Sequence, residues 1–268
     1  MSLKSNLAKG PIKDFMARNF KNVKSFVKDI ETVELANWKS ESKFPYKKIT
    51  KYLILGTCYD TLVSIELAQK TKDEKFLSQL FTFTNILKEH EEHFAYEGIS
   101  ARGIIILENK IINMIKNNHD INLNYVIDLA VYEDFFRGHS ARETMYNFPD
   151  KEEIKELKEE LSNFNKYSSK VLFNELSDKY IEHGKSFGEY SMMVGGSDLD
   201  LITNNLIIDM KTNKDLSFQS KDWHQVIGYA LLNKLFDKES NVDKIGIYYA
   251  RYDKLLYIDL KEIDLYNF

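Results

Sequence analysis

From Pro11 to Ile30 the apolar residues Ile12, Phe15, Met16, Phe20, Val23, Phe26, Val27 and Ile30 recur at steps of three and four, and Pro11 suits a first helical turn. The pattern predicts one amphipathic helix over 11–30. The same periodicity predicts helices at about 47–70, 73–94, 101–117 and 121–137, broken by polar clusters at 70–73 and 116–120. Pro149 and the acids after it open another helical stretch, rich in Glu and Lys, that runs with interruptions to about Glu182.

After His183-Gly184 the period shortens. Ser197–Thr203, Leu206–Thr212, Lys244–Arg251 and Leu255–Leu260 read as strands, with one helix from about Ser220 to Phe236 between the second and third. The expected organisation is therefore a helical region over 1–164 followed by an α/β or α+β module over 165–268.

Asn204-Asn205 reads as a two-residue hairpin turn, since Asn tolerates the positive φ that such turns favour. Counting back from that turn puts Asp200 opposite Asp209 and Asp198 opposite Lys211 on one face. The other face is apolar, with Leu199, Leu201, Leu206, Ile208 and Met210. Facing carboxylates on paired strands have Cβ atoms ~5 Å apart and repel unless a proton or a cation intervenes. An oxygen-only donor set of this size suits Mg²⁺, which keeps several waters and shares its remaining positions with phosphate oxygens. Lys211 stands where it would act on the attacking water or on developing phosphoryl charge. The spacing points to metal-assisted phosphodiester hydrolysis.

Composition narrows the setting. The 268 residues, 43% of them hydrophobic, are enough for one large domain or two modest ones. No apolar run approaches the ~18 residues of a membrane span, and Met1–Lys13 lacks the apolar core of a secretory signal. Cys58 is the sole cysteine, which excludes an internal disulfide or a cysteine-rich metal site and fits a reducing cytoplasm. The net charge of −4 disfavours a uniformly basic nucleic-acid surface, but it is polarised: residues 1–60 carry +6 and the remainder −10.

Asp200, then Asp209-Met210-Lys211, then Gln225-Val-Ile-Gly-Tyr229 resembles the PD-(D/E)XK nuclease superfamily, in particular its RecB-type branch with a Gln-x-x-x-Tyr motif. The stretches 191–202, 206–212 and 246–251 look like a group of bacterial members of that superfamily, and the resemblance covers roughly residues 165–268. It implies a restriction-endonuclease-like core and a Mg²⁺- or Mn²⁺-dependent hydrolase of DNA, with RNA as the other compatible polyanion and room for an oligomer. Carried over, Asp200, Asp209 and the Met210 carbonyl bind the metal, Lys211 acts on water or phosphate, and Gln225 and Tyr229 complete the site. Asp198 competes with Asp200 for the first ligand position, and Glu175, Glu182 and Glu189 compete for an additional acidic ligand. A second reading keeps the fold but makes it a non-cutting nucleic-acid-binding or assembly module.

Other clusters read as ordinary surface. His90, His93, His119, Asp120 and Asp128 fit a helical phosphohydrolase poorly, because His119-Asp120 falls in a connector. Residues 237–243 alternate oxygen ligands, but Val242 and Tyr248 occupy the Gly and Glu positions of an EF-hand loop. Arg137-Gly-His-Ser-Ala-Arg142 and Lys43, Lys47, Lys48 and Lys51 are candidate phosphate contacts or plain solubilising charge.

Overall fold

The computed structural model describes residues 10–20, 22–26, 28–29, 50–73, 75–78, 101–136, 149–163, 172, 180–194, 196, 198–213, 219–252 and 254–263. Helices α1 to α6 are Gly10–Asn19, Thr50–Thr71, Lys75–Ser78, Ala101–Lys116, Leu123–Phe136 and Lys151–Asn163; α7 is Glu189–Met193 and α8 is Ser220–Phe236. Strands β1 to β6 are Lys28–Asp29, Ile181–Ser186, Asp198–Thr203, Leu206–Lys211, Lys244–Tyr249 and Lys254–Asp259. The chain forms two compact units, one of Glu41–Ser169 and the other of Met1–Ser40 with Lys170–Phe268.

The first unit is helical. Its α2 is buried nearly all round, through Ile54, Leu55, Cys58, Tyr59, Leu62, Val63, Ile65 and Leu67, as befits a central helix. Around it, α4 and α6 bury one stripe each, Ile104, Leu107, Ile111 and Ile115 on α4 and Leu157 and Leu161 on α6. A reciprocal capping box starts α6: the Asp150 backbone N–H donates to Glu153 and the Glu153 N–H to Asp150, both at 2.9 Å. Asp150, rather than Pro149, thus sets the start of that helix. Of the helix expected over 73–94, only Lys75–Ser78 falls within the described residues.

The second unit is a mixed six-stranded sheet in the order β1-β6-β5-β4-β3-β2, with helices packed on it, which makes the chain α/β. β4 and β5 are parallel and every other neighbour is antiparallel. A parallel pair needs a crossover, and α8 supplies it. Trp223, Val226, Ile227 and Ala230 of α8 share one buried cluster with Ile202, Ile207, Ile245, Ile247 and Tyr249 of the sheet.

Three expectations need correction. The helix foreseen over 11–30 ends at Asn19, followed by a short 3-10 helix at Val23–Phe26 and then β1, whose Lys28 and Asp29 pair with Tyr257 and Leu256 of β6. Met16, Phe20 and Val23 keep their buried spacing but enter the α8 cluster, so the described residues of this N-terminal segment group with the sheet. The helical stretch foreseen to about Glu182 overruns β2, an edge strand with Ile181 as its one apolar residue, which hides it from a hydrophobic count. Finally, the 204–205 turn does not use left-handed Asn: among described non-glycine residues only Lys72 and Asn118 have positive φ. Thr203 holds the turn instead, its Oγ1 accepting the Leu206 N–H at 3.1 Å and the Asn205 N–H at 3.4 Å.

Gly246 on β5 lies where the backbone of β6 approaches closely. A Cβ there would lie 3.0 Å from the Leu256 carbonyl and 3.1 Å from Leu255 Cδ1. Gly246→Ala is expected to lower stability by ~1–3 kcal/mol through overpacking, read as a shift of the urea midpoint.

Candidate active site at the end of the parallel strand pair

The β3–β4 pairing matches Leu201 with Ile208 and Ile202 with Ile207, the register that the turn implies and the one that sets Asp200 across from Asp209. Alternation then puts Ile202, Ile207, Asp200, Asp209 and Lys211 on the face that α8 covers, apolar near the turn and charged at the far end. The opposite face is buried too, through Leu201, Leu206, Ile208, Tyr248 and Leu255. The charged end lies at the carboxyl ends of β4 and β5, the general location of ligand sites in sheets with parallel strands.

A connected chain of polar side chains occupies this end. Lys211 forms an ion pair with Asp209, whose side chain is 2% exposed. Its Nζ also donates to Gln225 Oε1 at 3.1 Å, and Gln225 Nε2 donates to the Tyr229 hydroxyl at 2.7 Å. The four-residue helical spacing of Gln225 and Tyr229 makes that last bond. Asp200 accepts the Met210 backbone N–H at 2.5 Å, which ties the first acid to the backbone between Asp209 and Lys211.

Two further residues belong here that the motif did not name. Asp222, in the first turn of α8 and buried, accepts a bond from Asn213 Nδ2 at 3.4 Å. Tyr249 pairs with Lys211 in the parallel β4–β5 register and is 1% exposed. Asp222 had a sequence signal, since it lies three residues before Gln225 on the same helical side. Tyr249 had none, because a parallel partner cannot be counted off through a crossover.

The electrostatics are uneven. Burial alone would lower the Lys211 pKa, but the charges of Asp209, Asp200 and Asp222 outweigh it and raise it, so the ammonium is retained. Burial, then the charges of Asp222 and Asp209 against the opposing Lys211, push the Tyr249 hydroxyl up to about 12 and keep it a neutral phenol. The charges of three carboxylates thus act on Lys211, and Asp209 is the one paired with it. Among the described residues no three His, Cys, Asp or Glu side chains form a metal cage. Asp200 and Asp209, with the Met210 carbonyl that the resemblance implies, would be a smaller, oxygen-only set. Oxygen donors alone are the kind that Mg²⁺ or Mn²⁺ takes, whereas zinc sites usually add His or Cys.

The remaining candidates separate from this cluster. Asp198 pairs with Ser186 at the start of β3, and its side chain lies outside the described residues, as does Glu175. Glu182 bonds the Tyr180 hydroxyl and lies 3.3 Å from Lys185, and Glu189 is exposed in the first turn of α7. His119 and Asp120 are exposed in the connector between α4 and α5, while His90, His93, residues 137–142 and Lys43, Lys47 and Lys48 lie outside the described residues, with the Lys51 side chain. Residues 237–243 form a loop. Cys58 is buried in α2, where burial and the charge of Glu133 push its thiol up, away from a nucleophilic thiolate. No described helix is long and apolar enough to cross a membrane.

Comparison of the chain with family models, curated proteins and solved structures finds no match.

Proposed function

We propose that this protein is a Mg²⁺-dependent nuclease that hydrolyses DNA phosphodiester bonds, with a restriction-endonuclease-like core in its second unit. The observation that carries the reading is the continuous chain Asp209–Lys211–Gln225–Tyr229, with Asp200 bonded into the same backbone segment. These residues come from a hairpin and a crossover helix that are separated in sequence, and a merely solvated sheet face has no reason to bury them together.

Asp200, Asp209 and the Met210 carbonyl would hold the metal. Bound there, a divalent ion supplies a water of lowered pKa and charge stabilisation at the phosphoryl group. The protein's own part is positional and electrostatic. Asp200 is fixed by the Met210 N–H, and Asp209 is held by its strand and its ion pair with Lys211. Lys211 offers an ammonium beside them for a phosphoryl oxygen. Gln225 fixes that ammonium, and Tyr229 fixes the amide of Gln225, so the charge is in place before substrate arrives.

Purified protein incubated with linear, circular and single-stranded DNA in Mg²⁺ or Mn²⁺, with an EDTA control, tests the reading. Cleavage of at least one substrate, abolished by EDTA, is expected. DNA retained on the protein with no cleavage under any metal would sink the nuclease and leave the non-cutting binding module.

A further inference from the structure

Nearly every polar group at the charged end of the sheet has a partner within the fold. Lys211 is committed to Asp209 and Gln225, Gln225 to Tyr229, Asp200 to the Met210 N–H, and Asp222 to Asn213. The Tyr249 hydroxyl is the exception: it is buried and has no hydrogen-bond partner among the described residues. Its position is not incidental. Tyr249 is the register partner of Lys211, belongs to the same buried cluster as Trp223 and Ile247, and lies within electrostatic reach of Asp209 and Asp222.

A buried hydroxyl without a partner is disfavoured unless something absent from the protein itself completes it. With essentially no exposed surface, the hydroxyl can meet only a small occupant, and only once the side chains around it shift. Asp222 and Asp209 favour a cation with its waters near it, against the opposing charge of Lys211, and a phenol both accepts from and donates to such waters. We propose that Tyr249 is a positioning residue for the metal, its hydroxyl holding a water in the coordination shell of the divalent cation bound by Asp200 and Asp209. The inference rests on the metal-site reading above. It gives β5 a functional role in addition to its structural one, as the outer support of a site built on β3 and β4. Partners of this kind orient the shell of a metal rather than bind it.

The test is isothermal titration of the metal-free, full-length protein with Mn²⁺, comparing the unmodified chain with Tyr249→Phe, alongside thermal unfolding of both without metal. We expect Mn²⁺ affinity to fall ~10-fold or more in Tyr249→Phe, while its unfolding temperature stays equal or rises, because a hydroxyl without a partner is removed. Equal Mn²⁺ affinity would overturn the role of Tyr249 and leave the metal site standing. Absence of Mn²⁺ binding by the unmodified chain would overturn both. A fall in unfolding temperature would show that the hydroxyl is satisfied inside the fold and would also overturn the inference.

Discussion

Lys211→Ala is expected to cut the rate of metal-dependent DNA cleavage by ~10²–10⁴-fold, the range for removing one positioned group that acts in the transition state. The same substitution carries a second effect that the sequence alone does not suggest. Asp209 is 2% exposed and paired with Lys211, so deleting the ammonium strands a buried carboxylate. Breaking such a pair from one side costs ~3–5 kcal/mol. Lost activity in Lys211→Ala is therefore informative only beside a measured unfolding curve. Asp209→Asn complements that variant, because a neutral amide keeps the shape of the side chain and an oxygen for the Lys211 ammonium while removing the ligand charge, and it too is read beside an unfolding curve. Cleavage by Asp209→Asn at the unmodified rate, in protein folded to the same extent, would remove the assigned site.

The second large effect is expected at Trp223, which is fully buried between the first turn of α8 and the sheet cluster. Trp223→Ala should lower stability by ~3–5 kcal/mol, through lost apolar burial and the cavity left behind. Against the ~5–15 kcal/mol of a typical domain this is a large share. It would appear as a clear drop in the urea midpoint of the sheet unit. Trp223 lies between Asp222 and Gln225 in sequence, so the cavity would also loosen the end of α8 that orients Lys211. A midpoint unchanged from the parent would mean that the α8–sheet cluster is not the core of this unit.

Where pattern and structure agree, the determinants are local. The strands at 198–203, 206–211, 244–249 and 254–259 and the helix at 220–236 follow from periodicity over a few residues. The Asp200–Asp209 register follows from a two-residue turn, since counting outward from a short turn needs no tertiary information. The turn's position was legible although its mechanism was not, because Thr203 does by side-chain bonding what left-handed Asn was expected to do. The failures share a cause as well. β1 has two residues and β2 is mostly polar, so neither leaves an apolar signature, and both exist because a neighbouring strand offers its hydrogen bonds.

By itself, then, the sequence determined which residues form the hairpin and the helix after it, and which acids and lysine share one face, because these are consequences of short-range geometry. Only the tertiary structure decided that the N-terminal Met16, Phe20 and Val23 pack into the sheet unit, and that Tyr249 joins Lys211. Those choices depend on a parallel pairing closed across a crossover helix and on which buried surface the N-terminal segment finds. Both are long-range matches whose energy comes from burial, and burial is not written in the spacing of residues along the chain.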